Sequence, residues 1–293
     1  MEGDISNSSS RRHFLRSMAG ISVLGLAIRS HPAISNEPSL NSSNSVNALL
    51  LSATTLSGKS SLEHGYKEFA ELYRGRKNIL LINFASLPAD RDAYERRMQK
   101  AFLEIGSGFR IRSLHHASVD DAANIVREAE AFYVSGGNTF LLLRELYDRK
   151  AVYSLRERTL GGVPYGGSSA GSNIAGLEIG TTNDFPLVDV PTRRSLGLLP
   201  ADFNPHHPSP ETEKELFDGR QWKLRNYCKY HTNTLVVGVT NPGMIRIKGE
   251  SITLLGDDAS AFVHLGNRDI RVNSGDGGDL RMAFSRLQNP TSH

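Results

Sequence analysis

Short unbroken apolar runs, separated by helix-patterned segments, constrain this chain more than any other feature. Ala48-Leu49-Leu50-Leu51-Ser52 and Asn78-Ile79-Leu80-Leu81-Ile82-Asn83-Phe84 are too short to span a bilayer and lack the alternation of a strand with one wet face. Runs of this kind belong to strands buried on both faces, as in a parallel sheet. Residues 109–114 and 131–134 read as further strands, while 60–72, 92–105, 120–129 and 139–146 carry helical spacing. Strand–helix alternation predicts an α/β fold with a mostly parallel sheet, helices on both faces and right-handed crossovers. After about residue 235 the pattern changes. Residues 235–239, 244–247, 251–255 and 261–265 are short, closely spaced strands, with turns at Asn241-Pro242-Gly243 and Lys248-Gly249-Glu250. They predict an antiparallel C-terminal extension at one edge of the sheet, and the Gly/Asp-rich 273–279 reads as a mobile loop.

Composition removes several function classes. Thirty-four Lys and Arg face 31 Asp and Glu, mixed along the chain, so no nucleic-acid partner is expected. The single cysteine, Cys228, excludes an intrachain disulfide and any Cys-based zinc spacing. No apolar run reaches the roughly 18 residues of a membrane span, so no stable membrane insertion is expected. At the N-terminus, Ser10-Arg11-Arg12-His13-Phe14-Leu15-Arg16 precedes a short apolar stretch over 18–28. The pattern resembles a bacterial twin-arginine export signal. The expected organisation is a signal over 1–33, with cleavage near Ala33, a Ser/Asn-rich linker over 34–47, and a single α/β domain over 48–293. The expected location is the periplasm, or the cytoplasm if the signal does not function.

Two stretches fall just after strands, where open α/β sheets bind ligands. Gly136-Gly137-Asn138-Thr139 presents backbone N–H groups and a helix N-terminus to an anion or oxyanion, or is simply a tight turn capped by Thr139. Gly167-Ser168-Ser169-Ala170-Gly171 has the strand–turn–helix form of a nucleophile elbow, with Ser169 at the apex and the Ala170 N–H placed for an oxyanion. Ser168 is a competing hydroxyl off the apex. A serine needs a base. His206, His207, His231, His264 and the terminal His293 follow Ser169. Residues 204–208 read as a proline-restricted loop suited to a fixed base, whereas the chain order of an α/β-hydrolase favours His264. Spacing alone leaves that choice open.

The chain resembles the dipeptidase E (aspartyl dipeptidase) family of serine peptidases over roughly residues 48–265. Beyond the serine turn, the resemblance rests on Leu50-Leu51-Ser52, Thr55-Leu56-Ser57-Gly58-Lys59, Leu62-Glu63-His64 and Gly136-Gly137-Asn138-Thr139-Phe140. It continues through Thr181-Thr182-Asn183-Asp184-Phe185-Pro186, Leu196-Gly197-Leu198-Leu199-Pro200 and Asn204-Pro205-His206. It implies a glutamine-amidotransferase-like fold and hydrolysis of dipeptides with N-terminal aspartate, without metal or organic cofactor. It also implies Ser169 as nucleophile, His206 as base, and Gly137 and Ala170 as oxyanion donors. Asp218-Gly219-Arg220 resembles the family's acid–hydroxyl–Arg segment, with Gly219 in place of the hydroxyl residue. Arg220 is assigned to the substrate carboxylate, Asp184 to its ammonium, and Asn138 to the pocket lining. The third triad member in the family is an acid, but no Asp or Glu occurs between Leu235 and Lys248, and Asn241 falls at the position. A neutral amide can still orient an imidazole. The expected partner is a small acidic peptide, and the expected state a monomer or homodimer. The alternatives are a weak or inactive peptide-binding protein on the same scaffold, or a serine esterase using His264.

Overall fold

In a computed structural model, which describes residues 45–289, the first apolar run becomes β1 (Asn47–Leu51). The segment read as an export signal, and most of the linker, lie outside the described residues. The helix expected from residue 60 begins later, as α1 (Tyr66–Leu72), because Leu62 at φ +64° breaks any continuous helix before it. The chain continues through β2 (Asn78–Ile82), α2 (Arg91–Ile105), β3 (Arg110–Ser113), α3 (Ala122–Glu128) and β4 (Phe132–Val134). Then come α4 (Thr139–Asp148), α5 (Ala151–Leu160), β5 (Tyr165–Ser168) and the one-turn α6 (Ala170–Asn173).

The five strands pair in parallel in the order β3-β2-β4-β5-β1. Their side chains alternate between two cores, as period-2 geometry requires. Leu49, Leu51, Ile79, Leu81 and Tyr133 pack with Phe69 of α1, Tyr73 at its C-terminal cap and Phe102 of α2. Leu50, Leu80, Ile82, Phe132 and Val134 pack with Leu142, Leu146 and Leu155 of α4 and α5. Each fully buried leucine contributes about 1.5–3 kcal/mol relative to exposure, which explains why both faces must be apolar.

The second half contains β6 (Asp202–His207), α7 (Lys214–Tyr230), β7 (Val236–Thr240), β8 (Met244–Lys248) and β9 (Ser251–Leu255). It ends with β10 (Ser260–Leu265), β11 (Arg268–Asn273) and α8 (Leu280–Gln288). β8 pairs antiparallel with β1 and β9 with β8, so these two form the expected edge extension. β7 and β10 do not join it. They form a second sheet, ordered β11-β10-β7-β6, in which only β6 and β7 run parallel. Every residue of β7 is buried, and the strand is paired on both edges, with β6 on one side and β10 on the other.

Two further expectations are corrected. Residues 204–208 are not a loop, since 202–207 form β6. The strand tolerates Pro205 because its register with β7 shifts between Asn204 and His207, where no ladder N–H is needed. The 273–279 stretch is the end of β11 followed by a 3-10 turn at Ser274–Asp276, whose Ser274 N–H bonds Ala259 O at 3.0 Å. Because the first five strands are parallel, Ser52, Asn83, His115, Gly136 and Ser169 all follow carboxyl ends at one edge.

Candidate active site

The strand-to-helix turn holds Ser169 at φ +51° and ψ −110°, a conformation costing on the order of 1–3 kcal/mol for a non-glycine residue. Its N–H bonds Leu51 O at 3.0 Å, and the next turn is tied by Gly171 N–H to Ser135 O at 3.0 Å. Gly171 is required there, because a Cβ would lie 2.2 Å from the Val134 carbonyl oxygen. Ser168 points the other way. It is buried, and its hydroxyl is shared with Tyr133 Oη and Thr54 Oγ1, each at 2.8 Å.

Ser169 Oγ lies 2.7 Å from His206 Nε2, and His206 Nδ1 lies 2.7 Å from Asn241 Oδ1. An amide oxygen only accepts, so Nδ1 carries the ring proton and Nε2 keeps its lone pair for the serine O–H. His206 itself sits at φ +55°. Its N–H donates to Ser52 Oγ at 2.8 Å, and that hydroxyl donates to Val239 O at 2.8 Å. Leu51 O also accepts from Ser172 Oγ at 2.7 Å. The dipeptide at the end of β1 therefore holds the serine turn, the histidine and the strand leading to Asn241. Ser52 carried no assigned role in the sequence reading. Its signals there are a hydroxyl closing a buried strand and its place in the Leu50-Leu51-Ser52 match.

The other histidines are placed differently. His264 is buried in β10 with both ring nitrogens unpartnered among the described residues, and burial pushes it down to about 4. His207 is also buried and pushed down to about 4, mainly by desolvation, and stacks on Phe262 at 4.6 Å. The serine's imidazole partner is His206.

A Cβ at Gly136 would lie 3.1 Å from the Ser169 Cβ, which places the Gly136-Gly137 turn beside the serine. Gly137 adopts φ +135°, and a Cβ there would meet Ala85 O at 2.4 Å. The N–H groups of Gly137 and Ala170 have no acceptor of their own among the described residues. Unpaired donors flanking a nucleophilic oxygen are suited to a developing oxyanion.

Asn138, not Thr139, caps α4. Its Oδ1 accepts from Leu141 N–H at 3.0 Å, while its Nδ2 donates to Phe185 O at 2.7 Å. Asp184 Oδ2 accepts from the Thr139 N–H at 2.7 Å and hydroxyl at 2.6 Å, which fastens the Thr181–Asp184 segment to the same helix start. Asn183 Nδ2 donates to Pro205 O at 2.8 Å, extending this brace to β6. Asp184 Oδ1 has no partner among the described residues. Arg220 Nη1 donates to Asn204 Oδ1 at 2.8 Å and approaches the Pro205 and His206 carbonyls at 3.4 Å. Arg220 is partly buried, desolvation disfavours its charged form, and among the described residues it has no carboxylate partner. The neighbouring Asp218 is taken by Lys214 at 2.8 Å.

Residues 48–255 match the family described as Peptidase family S51. The chain belongs to that family. This S51 chain is 35% identical over 217 residues to a protein named peptidase E from Shewanella amazonensis, covering 74% of this chain and 91% of that one. It is also 35% identical over 241 residues to a protein from Drosophila melanogaster named a probable alpha-aspartyl dipeptidase, covering 81% and 93%. Its fold is similar to the crystal structure of a peptidase from an acI-B1 Actinobacterium, with a TM-score of 0.58 at 16% identity over 78% of this chain and 95% of that one.

Proposed function

We propose that this S51 member is a serine exopeptidase that hydrolyses dipeptides with N-terminal aspartate through an acyl-enzyme. The observation that carries the reading is the pair of 2.7 Å contacts joining Ser169, His206 and Asn241. In the first half-reaction, Ser169 Oγ attacks the peptide carbonyl as His206 Nε2 takes its proton. The new oxyanion accepts from the Gly137 and Ala170 N–H groups. His206 then returns the proton to the leaving amine. Water repeats the sequence on the aspartyl ester and restores the serine. Asn241 orients the imidazole but supplies only a dipole to the imidazolium.

Preference for aspartate rests on Arg220. A half-buried guanidinium without a carboxylate partner among the described residues, held against the His206 carbonyl, suits the substrate side-chain carboxylate. The open Oδ1 of Asp184 is assigned to the substrate ammonium, and Asn138 lines the pocket wall through its link to Phe185. The twin-arginine-like residues support a periplasmic site of action.

The test is a panel of Asp-X, Glu-X, Asn-X and isoaspartyl dipeptides given to the full chain, with Ser169→Ala as control. Serine-dependent cleavage concentrated on Asp-X is expected. Cleavage that survives Ser169→Ala, or absence of cleavage by folded protein, overturns the reading. The amide at 241 is the one observation favouring a non-hydrolytic peptide binder. That alternative requires binding of the same dipeptides without labelling of Ser169 by a fluorophosphonate.

A further inference from the structure

Asp92 and Glu95 are three residues apart near the start of α2, so both project from one face of the helix. His115 and His116 lie in the 3-10 turn that follows β3. His115 Nε2 is 2.8 Å from Asp92 Oδ1, and His116 Nε2 is 2.6 Å from Glu95 Oε2. Ligand atoms from all four residues lie within 4.8 Å of one another. The two imidazole centroids are only 3.9 Å apart.

The hydrogen bonds behind His115 decide which ring nitrogen holds the proton. Asn83 is fully buried, and its Nδ2 donates to Arg91 O at 2.9 Å, so its Oδ1 is the atom facing Ser113. Ser113 Oγ donates its single proton to that Oδ1 at 2.9 Å. Toward His115 Nδ1, at 2.6 Å, it can then only accept. Nδ1 therefore carries a proton, and a neutral ring would aim the Nε2 lone pair at a carboxylate oxygen 2.8 Å away. That contact requires a positive centre, which is either a second proton on the ring or a metal ion. His115 would need that second proton, whereas a neutral His116 can donate its own Nε2–H to Glu95, and the two rings lie tilted at 39° with centroids 3.9 Å apart. One divalent ion serves both carboxylates and both lone pairs with the rings neutral. The outer N–H of His115, donated into a fixed buried acceptor, is the support that metal-ligating histidines use. Glu95 has a similar anchor, because its Oε1 accepts the Ser113 N–H at 2.8 Å and leaves Oε2 as ligand.

We propose that Asp92, Glu95, His115 and His116 bind one divalent transition-metal ion of the zinc type, at a site distinct from Ser169. By strand order β3-β2-β4-β5, it stands on the order of 14 Å from the serine, three strand spacings away. Tetrahedral ligation at 2.0–2.2 Å spaces donors by roughly 3.3 Å, so the close pairs at 2.8 and 2.6 Å open by about 0.5 and 0.7 Å and any pair near the 4.8 Å limit closes by up to about 1.5 Å, within reach of side-chain torsion. Imidazole nitrogens select zinc-like ions over calcium or magnesium. The ion would staple α2 to the end of β3. Through Asn83 and Arg91 it would also stiffen the loop whose Ala85 carbonyl packs under Gly137.

The test titrates zinc into chelator-treated, dialysed full chain by isothermal calorimetry. Wild type is compared with His116→Gln, Asp92→Asn and a control, His231→Gln. His116 and Asp92 side chains are 52% and 67% exposed, so neither substitution threatens folding, which circular dichroism checks. One saturable equivalent with micromolar or tighter Kd is expected, weakened at least tenfold in the two ligand variants and unchanged in the control. Equal affinity in all four proteins, or no saturable zinc binding, overturns the assignment.

Discussion

Replacing Asn241 by aspartate tests whether the third position of the triad limits turnover. The substitution is isosteric, so a carboxylate oxygen takes the place of the amide oxygen 2.7 Å from His206 Nδ1. A neutral hydrogen bond contributes about 0.5–1.5 kcal/mol and one to a charged group about 1.5–3, a difference of roughly 1–1.5 kcal/mol. Coulomb's law for unit charges about 4 Å apart gives about 1 kcal/mol in water and about 4 at an effective dielectric of 20. His206 and Asn241 are both exposed, so the gain falls toward the lower limit. Stabilising the imidazolium by about 1–2 kcal/mol raises kcat about 5- to 30-fold. A carboxylate also removes a tautomer trap. Among the described residues nothing else holds the Asn241 amide, and its flipped form would donate to Nδ1 and leave Nε2 protonated against the serine. Steady-state hydrolysis of an Asp-X dipeptide by wild type, Asn241→Asp and Asn241→Ala is the assay, with the alanine variant expected below wild type. A folded Asn241→Asp protein with unchanged or lower kcat refutes the reasoning.

Other outcomes follow from the same geometry. His206→Ala is expected to abolish turnover, whereas His264→Leu leaves kcat within about twofold and removes an acid sensitivity of the fold. Burial holds His264 neutral down to about pH 4, so the unfolded chain takes up its proton first and stability falls as pH drops from about 6.5 to 4. A His264→Leu protein with an unchanged acid-unfolding profile contradicts this. Asp202 behaves oppositely, because burial raises it to about 6. Its contribution is full below about pH 4 and lost as pH rises through about 6. Asp202→Asn still pairs with the Tyr227 hydroxyl and Glu178 N–H, and is expected to stabilise the fold by up to about 3 kcal/mol at pH 8, with little gain at pH 4. Urea denaturation at the two pH values decides it. Ser52→Ala strands the His206 N–H and is expected to cost about 1–3 kcal/mol of stability and to lower kcat with little change in KM.

The legible parts of the fold are those encoded by local burial. β1, β2 and β4 are buried on both faces, so their apolar runs are continuous and readable. Helix α7 has no periodic signal in the sequence, because only Gln221, Leu224 and Cys228 are buried in 17 residues, too thin a stripe. Helix α8 does carry an apolar stripe at Leu280, Ala283, Phe284 and Leu287, but the Gly/Asp-rich run before it masked its start. The division of β7 and β8 between two sheets depends on which strand edges are free, and no local pattern carries that.

The site divides in the same way. The serine turn and the glycine turn are contiguous in sequence, because a backbone conformation is set by the residues that adopt it. The pairing of Ser169 with His206 rather than His264 spans 37 positions, and that of His206 with Asn241 spans 35. Residue spacing left that choice open, and the family resemblance proposed it. The role of Ser52 has only its place at the end of a buried strand and in the Leu50-Leu51-Ser52 match as sequence signals, and the meeting of Asp92 and Glu95 with His115 and His116 has none. Chain periodicity reports how much of each residue is buried. Which groups share a proton or a ligand depends on distances of about 3 Å, and only the packed chain sets those.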